Sequence, residues 1–322
     1  MLSGIIWVVA AAIFVATVLP LTNSVRWWIR MWEFPRLHIA VLAIVLLLIV
    51  LPLDLFFKGL LITGLLACTV YHAIRIFPYT PWATKEVVKV ENAPQDERIS
   101  LLSANVLMEN TRHADLIRII EREDPDVLFL MEADEVWHTA LKETLKGYSF
   151  VKAHPMDNHY GLIFATRLQT ISCELLFLSG DDTPTVKAVL QGPSGSKFNF
   201  IGVHPRPPVP GNDTASRDKE IKRAAQITGA SDLATVCMGD FNDVAWSWTT
   251  RRFKRYGNYR DPRVGRGMLS SFDARHWFLR FPIDQMFLTE GIGLVSFERL
   301  EAFGSDHFPI KSVVTLHDQK DG

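Results

Sequence analysis

The sequence has 322 residues, of which 48% are hydrophobic, and its 34 Lys and Arg residues nearly balance 35 Asp and Glu residues, giving a formal net charge of −1. This balance excludes the strongly basic composition of a dedicated nucleic-acid-binding protein. The three cysteines, Cys68, Cys173 and Cys237, show neither a zinc-binding spacing nor a disulfide framework, which suits a reducing compartment.

Residues 1–80 contain three long apolar runs, Leu2–Leu21, Ala40–Phe57 and Leu60–Phe77. Each run has about 18 to 20 residues, enough for a helix to cross roughly 30 Å of hydrocarbon. The first run is not typical of a secretory signal, because no basic segment precedes it and further apolar runs follow. We expect a membrane anchor of three transmembrane helices with a tight hairpin at Asp54–Gly59. Buried helices of a soluble domain are the alternative.

Basic residues predict the orientation of this anchor. With three spans, the first loop and the C-terminal part of the chain lie on one side, and only Lys58 lies on the other. The excess of positive charge predicts an integral protein of a bacterial inner membrane whose C-terminal part is cytoplasmic. The residues behind this prediction are Arg26, Arg30, Arg36, Arg75, Lys85 and Lys89, with Trp27, Trp28 and Trp32 suited to the membrane interface.

The rest of the chain is predicted to form one domain. Residues 81–97 are polar and show no periodicity, which indicates a short linker. Residues 98–322 are long enough for a single domain with a large core.

Strand-like segments of this domain repeatedly end in polar side chains. Three apolar or alternating runs end in a polar residue, namely Asn105, Glu132 and His204. Another run has Asp284 near its start, and the last run is preceded by Asp306 and His307. In an α/β protein this pattern is typical of a site assembled from loops at one edge of a sheet.

The segment Gly239-Asp240-Phe241-Asn242 follows the apolar run Ala234–Met238 and is the most informative of these strand ends. The side chains of Asp240 and Asn242 are two residues apart and therefore point the same way from the strand. A carboxylate there can hold a cation or an attacking water, and a carboxamide can hold a phosphate oxygen. An ordinary loop stabilised by Asx turns is the alternative for these four residues alone.

Taken in order, these residues resemble the endonuclease/exonuclease/phosphatase superfamily over about Arg98 to Leu316. The resemblance implies a four-layer α/β sandwich, in which two packed mixed β-sheets are flanked by helices, here preceded by the three-helix membrane anchor. It also implies metal-dependent hydrolysis of phosphoesters. The residues that carry the resemblance are Asn105, Glu132, His204, Asp240, Asn242, Asp284, Asp306 and His307.

The resemblance also implies roles for these residues. Glu132 would bind Mg²⁺, for which Mn²⁺ could substitute, with Asn105 and Asp306 as supporting ligands. Asp240 would orient or deprotonate the attacking water, and Asn242 would steady the phosphate. The pair formed by Asp284 and His307, together with His204, would supply acid–base chemistry, without an assignment of which histidine is the base.

Two further residues are predicted to contact substrate. Tyr160 lies in the segment Asn158–Gly161, which resembles a segment lining the cleft in relatives, and a hairpin turn is the alternative. Arg206 follows His204 closely, and its guanidinium would suit an anionic substrate.

Substrate identity depends on the segment 246–280, which is rich in arginines and aromatic residues. If this segment overhangs the site, it could bind nucleic acid or contact anionic lipid. The structural alternative is that its aromatic residues form a local core. We predict a membrane-anchored nuclease acting on DNA or RNA. The alternatives are a sphingomyelinase-like or inositol-phosphatase-like phosphoesterase and a non-catalytic membrane scaffold.

Overall fold

The computed structural model describes residues 1–180, 182–211 and 213–317. Its strands are β1 (Arg98–Asn105), β2 (Val127–Met131), β3 (Phe150–His154), β4 (Leu162–Thr166), β5 (Gln169–Phe177), β6 (Pro184–Gln191), β7 (Lys197–Val203), β8 (Thr235–Asp240), β9 (Asp284–Leu288), β10 (Ile292–Arg299) and β11 (Ile310–Leu316). Its helices are α1 (Leu2–Val18), α2 (Trp27–Arg30), α3 (Arg36–Val50), α4 (Lys58–Ile76), α5 (His113–Glu123), α6 (Glu135–Ala140), α7 (Lys142–Leu145), α8 (Ala215–Gly229) and α9 (Trp248–Tyr256). The predicted domain 98–322 therefore includes residues 318–322, which lie outside the described residues.

The strands form two mixed sheets. The first has the order β10-β11-β1-β2-β4-β3 and the second the order β5-β6-β7-β8-β9. Each sheet contains one parallel pair, β1 with β2 and β7 with β8, among antiparallel neighbours. The central strands are short and apolar, as expected for strands covered on both faces.

A core of aromatic and aliphatic side chains joins the two sheets face to face. Phe129 and Phe164 of the first sheet contact Phe200 of the second, with ring centroids 5.9 and 5.1 Å from it. At Gly202 of β7, a Cβ atom would lie 2.7 Å from the Phe129 ring, so this glycine permits the close contact. Separate clusters pack α5–α7 on the outside of the first sheet and α8–α9 on the outside of the second. Two mixed sheets flanked by helices confirm the predicted sandwich.

The N-terminal helices α1, α3 and α4 pack against one another through small and aliphatic side chains. Two segments, Leu2–Thr22 and Lys58–Tyr79, are long and apolar enough to cross a membrane. The predicted middle span Ala40–Phe57 differs, because α3 ends at Val50 just before Leu51-Pro52, a proline context that disfavours helix. A third span results only if Trp27–Glu33 and Arg36–Val50, bent by 69°, are counted together. The three-span bundle is therefore not established.

The segment between α1 and α3 docks on the sandwich through buried polar contacts. Arg30 lies 3.1 Å from Glu33 and 3.5 Å from Asp243, which follows β8. The backbone carbonyl of Glu33 accepts a hydrogen bond from Trp246 Nε1 at 2.7 Å, and its carboxylate accepts one from Trp248 N at 3.1 Å. The helical region and the sandwich are thus joined by specific bonds.

This docking changes the basis for the predicted orientation. Arg30 and Arg36 are only 1% and 2% exposed, and both pair with Glu33, so neither presents its charge to a membrane surface. The positive charges are neutralised by acidic residues that lie close in space. For Arg30 these include Asp218 and Asp243, which lie far away in the sequence.

Two segments predicted to be peripheral contribute to packing. Within residues 81–97, Val87 is buried and Val90 N donates to the carbonyl of Leu294 at 2.8 Å. The prediction that 246–280 overhangs the site does not hold for its first half, because Phe253 and Tyr259 fill the core under α8 and Arg263 is buried against Asp261. In the second half residues 275–279 are exposed, with Trp277 at 81%, whereas the remainder is buried or half-buried.

Candidate active site

The two parallel strand pairs place four polar side chains at adjoining sheet edges. Asn105 is paired in register with Met131, so Glu132 leaves β2 beside it. In the second sheet Val203 is paired with Gly239, so His204 and Asp240 leave their strands together. Because parallel strands carry their carboxyl ends to the same edge, strand pairing assembles each pair, and the packing of the two sheets brings the pairs together.

The backbone is unusual at these strand ends. Glu132 has φ +61° and Asn242 has φ +48°, both in the left-handed region that non-glycine residues seldom adopt. Gly239 has φ +145°, and a Cβ atom there would lie 2.0 Å from the carbonyl oxygen of Val203. These turns direct the side chains of Glu132 and Asp240 toward the space between the sheets.

Asn105 links the two sheets across this space. Its Nδ2 donates to Glu132 Oε1 at 2.7 Å and to Asp240 Oδ2 at 3.2 Å. Its Oδ1 accepts from Leu107 N at 3.1 Å, which fixes the orientation of the amide. The two carboxylates are therefore held on either side of one buried carboxamide.

Asp284 and His307 form a buried hydrogen-bonded pair. Asp284 lies opposite Asp240 in the antiparallel β8–β9 ladder, and its Oδ2 is 2.7 Å from His307 Nδ1. The other ring nitrogen, Nε2, lies 3.6 Å from Asp240 Oδ2. Burial alone would lower the pKa of His307, but the charges of Asp284 and Asp240 outweigh it and raise the pKa to about 10. Burial also raises the pKa of Asp240, against the opposing charge of His307.

His204 is the second buried histidine of the site. Its Nε2 lies 3.7 Å from Asp240 Oδ2 and 3.9 Å from Glu132 Oε1. Burial lowers the pKa of His204 to about 4 against the attraction of Glu132, so the ring is neutral near pH 7. Its Nδ1 is buried without a hydrogen-bond partner among the described residues, which leaves one ring nitrogen for a ligand.

The remaining predicted residues lie around this centre. Asp306 is 3.3 Å from the guanidinium of Arg275, and burial raises its pKa, with Glu132 contributing in the same direction. Asn242 uses Nδ2 to hold the carbonyl of Pro205 at 2.9 Å. The Tyr160 ring lies 5.4 Å from that of His204.

Arg206 lies at the edge of the site rather than at its centre. Its guanidinium stacks 5.2 Å over Tyr160 and pairs with Asp182. The charge of Arg206 is thus already neutralised by another surface residue.

Two contributors were missed by the sequence analysis. His159 Nδ1 contacts Glu132 Oε2 at 3.2 Å, and its Nε2 lies 3.4 Å from Glu109. Arg275 pairs with Asp306, as described above. The only sequence signal was that His159 precedes Tyr160 in a segment already singled out; its left-handed turn, φ +66°, brings it onto Glu132.

The donor set fits a divalent cation. Among the described residues, no Lys or Arg forms an ion pair with Glu132, Asp240 or Asp284; their ion-pair partners are histidines. One compact group, Asp240, Asp284 and His307, offers ligand atoms all within 4.8 Å of one another. Glu132 lies beside this group and offers its carboxylate oxygens, which Asn105 Nδ2 contacts at 2.7 Å. Carboxylate and amide oxygens are the ligands that Mg²⁺ and related hard cations prefer.

Carboxylates contacted by histidines at the joint edge of two sheets fit the class of metal-dependent phosphoric ester hydrolases. The chain belongs to the Endonuclease/Exonuclease/phosphatase family, whose sequence model matches residues 102–307. No match was found among curated proteins.

Solved structures share the fold at low sequence identity. TDP2 of D. rerio complexed with a single-strand DNA product has 18% identity and a TM-score of 0.58, covering 68% of this chain and 99% of that one. The human Nocturnin catalytic domain with bound sulfate has 15% identity and a TM-score of 0.57, covering 71% and 96%. A functionally unknown conserved protein from Enterococcus faecalis V583 has 16% identity and a TM-score of 0.53, covering 68% and 100%.

Proposed function

We propose that the protein is a membrane-anchored, Mg²⁺-dependent phosphodiesterase, with Mn²⁺ as an alternative cation. The observation that carries the proposal is the group of carboxylates of Glu132, Asp240 and Asp284, enclosed between two sheets and paired only with histidines among the described residues. The single imidazolium of His307 does not balance three carboxylates, and burying unbalanced anions is costly, so the site is suited to binding a cation. An anionic phosphoester would then meet a region whose charge is balanced.

We assign the cation to Glu132, with Asn105 and Asp306 beside it. The compact group Asp240, Asp284 and His307 is explained instead by the 2.7 Å hydrogen bond between Asp284 and His307. Mg²⁺ is usually held by only one or two carboxylates plus waters, which agrees with a single glutamate. When bound, the cation supplies neutralisation of charge on the phosphoryl oxygens.

The chain's own groups supply the rest of the chemistry. Asp240 accepts a proton from an attacking water and orients it, since its Oδ1 is already held by Asn242 N at 2.8 Å. Asp284 holds His307 as a charged imidazolium whose Nε2 donates toward the phosphoryl group or the leaving oxygen. Neutral His204 donates one ring N–H to a non-bridging oxygen.

The anchor is proposed to hold this site at the cytoplasmic face of a bacterial inner membrane. Leu2–Thr22 and Lys58–Tyr79 meet the length and composition of membrane spans, and the proposed orientation also requires α3 to cross between them. With Arg30 and Arg36 neutralised inside the protein, the positive charge that supports this orientation comes from Arg26, Arg75 and the lysines at 85 and 89.

Nucleic acid is a second candidate substrate, because the solved TDP2 structure contains a single-strand DNA product. Several basic residues of 246–280 are engaged elsewhere: Arg263 with Asp261, and Lys254 with Glu86. Phosphodiesters of lipid headgroups and small phosphate esters remain the other candidates.

The test is hydrolysis of bis(p-nitrophenyl) phosphate by the full chain in neutral detergent with Mg²⁺, with Mn²⁺ and with EDTA. We expect turnover with either cation and none with EDTA. Absence of turnover by folded protein with both cations would overturn the proposed function. Supercoiled plasmid assayed in parallel separates the candidates, since nicking that EDTA abolishes would establish a nuclease.

A further inference from the structure

A groove of about 660 Å³ lies outside the active site, between the start of α3, the second half of 246–280 and the end of β10. Its walls combine apolar and basic side chains, with Glu298 as the one acidic residue among those that line it. The residues that matter for its chemistry are Leu37, Trp277, Phe278, Arg266, Arg280 and Arg299.

The three arginines of this groove lack acidic partners. Among the described residues, none of them forms an ion pair; Arg266, Arg280 and Arg299 instead donate to backbone carbonyls at 2.7 to 2.9 Å. Arg280 and Arg299 also stack on the ring of Phe308, with guanidinium carbons 5.0 and 4.3 Å from its centroid. Two guanidinium groups are therefore gathered around one ring without a carboxylate to neutralise them.

The guanidinium groups of Arg280 and Arg299 repel each other in this arrangement. Burial lowers the pKa of Arg299, and the charge of Arg280 lowers it further. Like charges held close together without a counter-charge are typical of sites that receive an anion, and guanidinium groups match phosphate oxygens in geometry.

The groove is continuous with the apolar helices. The ring nitrogen Nε2 of His38, in the first turn of α3, contacts the carbonyl of Phe278. The Phe34 ring lies 5.7 Å from that of Phe281. Trp277 and Phe278 are 81% and 52% exposed, and Leu37 is 43% exposed beside them. Exposed aromatic side chains beside an apolar helix suit the headgroup level of a bilayer.

The same segment also borders the active site. Ala274 N donates to the carbonyl of Asp306 at 2.7 Å, and Phe308 directly follows His307. One stretch of chain therefore connects the start of α3, the arginine groove and the loop that carries His307.

We propose that this groove binds the phosphate group of an anionic phospholipid of the surrounding bilayer, with Arg280 and Arg299 on the phosphate and Trp277 and Phe278 among the glycerol and upper acyl carbons. This inference rests on the membrane anchoring proposed above. Charge complementarity and continuity with α3 select a bilayer lipid as the occupant. The bound lipid would seat the sandwich on the membrane, so that the active site acts on phosphodiesters at the headgroup layer.

The test is native mass spectrometry of the full chain released from neutral detergent, with phosphatidylglycerol and phosphatidylcholine added at equal concentration. Asp240→Asn serves as the parent, because it keeps the lipid from being hydrolysed and separates binding from activity. We expect one retained phosphatidylglycerol on the parent and at least a fivefold lower retained fraction in Arg280→Gln/Arg299→Gln. The matched control Arg260→Gln, which alters an exposed arginine paired with Glu290 at 3.5 Å, keeps the retained lipid.

A second pair of substitutions distinguishes the loss of positive charge from the loss of folding. Arg280→Lys/Arg299→Lys keeps the positive charge and is expected to retain most of the phosphatidylglycerol, even if the glutamine pair folds poorly. Equal retention of the two lipids, or loss in the lysine pair as complete as in a folded glutamine pair, would overturn the proposal. So would displacement of phosphatidylglycerol by inorganic phosphate or by a short oligodeoxynucleotide, which would make the groove a free-anion or nucleic-acid site. Hydrolysis of bis(p-nitrophenyl) phosphate tests the catalytic proposal independently of each of these outcomes.

Discussion

Two buried groups of charged side chains flank the loop after β8, and the protein balances them in opposite ways. Asp240 faces the candidate active site, where its ion-pair partners are His204 and His307. Asp243, three residues later, faces the junction with the N-terminal helices and pairs with Arg30 at 3.5 Å and Arg217 at 3.2 Å.

The difference separates a structural ion cluster from a binding site. The junction combines three arginines with three acids, so its charges balance without any ligand: Arg30, Arg36, Arg217, Glu33, Asp218 and Asp243. The candidate active site has an excess of carboxylates. A buried cluster that is already neutral holds elements together, whereas an unbalanced one is suited to a cation and an anionic substrate.

The largest expected effect is the loss of activity when Asp240 becomes Asn. Removing the group that accepts the proton of the attacking water should lower kcat by about 10²–10⁴. Folding should persist, because Asn105 and Asn242 still supply hydrogen-bond partners. The measurement is steady-state hydrolysis together with thermal unfolding. Asp232→Asn, at an exposed aspartate, is the control and should leave both unchanged. Full activity in Asp240→Asn would remove Asp240 from the mechanism.

Arg30→Ala should have its main effect on stability. It leaves the carboxylates of Glu33 and Asp243 buried without their shared cation, which is expected to cost about 3–5 kcal/mol of unfolding free energy. Denaturant unfolding of the full chain in detergent measures this loss. Arg26→Ala, at an exposed arginine four residues earlier, should change little. Equal losses in both variants would mean that the ion cluster contributes nothing particular to the junction.

Glu220 shows a third way to accommodate a buried carboxylate. Burial raises the pKa of Glu220 to about 7, against hydrogen bonds from Ser179, Thr183 and Thr185. The pKa of Glu220 in the folded protein lies above the unfolded value of 4.5. The stability that protonated Glu220 contributes to the folded state is therefore fully present below pH 4.5 and is lost as pH rises through 7. The loss amounts to about 3 kcal/mol.

The variant Glu220→Gln should remove that part of the pH dependence. The unfolding free energies of the parent and of the variant should be similar at pH 4.5. At pH 8 the glutamine variant should be the more stable of the two. The control Glu174→Gln changes a half-exposed carboxylate on β5 and should follow the parent curve. A parent-like slope in Glu220→Gln would assign the pH dependence to another group.

Addition of Mg²⁺ should produce the smallest of these effects. A cation at a hundred times its dissociation constant stabilises the folded state by about 2.7 kcal/mol. Glu132→Gln should abolish that gain, whereas Glu135→Gln, at an exposed glutamate, should keep it. An unchanged gain in Glu132→Gln would place the cation elsewhere, with Asp240 and Asp284 as the next residues to vary.

The family resemblance predicted the sandwich, and local sequence patterns were sufficient for the set of polar strand ends. Apolar runs such as β2 and β8 are short and continuous. Their parallel neighbours bring Glu132 beside Asn105 and Asp240 beside His204, and the packing of the two sheets joins the two pairs. His159 was not predicted because its contact with Glu132 depends on a left-handed turn that no residue pattern specifies.

The junction could not be predicted for a different reason. Arg30 was interpreted as a surface charge because its partners Asp218 and Asp243 lie about 190 and 210 residues further along the chain. Ion pairs between such distant positions depend on how the helices dock, and docking is decided by shape and burial rather than by local periodicity. The same limit applies to 246–280, whose aromatic residues pack under α8 in one half and stay exposed in the other.

The docked segment before α3 has a consequence for the geometry of catalysis. Hydrogen bonds from Trp246 and Trp248 to Glu33 leave little slack between the proposed anchor and the sandwich. A long flexible tether would let the catalytic centre sample a wide volume of solution. In the anchored protein proposed above, its height above the bilayer and its tilt would be fixed, so the enzyme would search for substrate in two dimensions. Its rate should depend on the mole fraction of substrate in the membrane plane more than on bulk concentration.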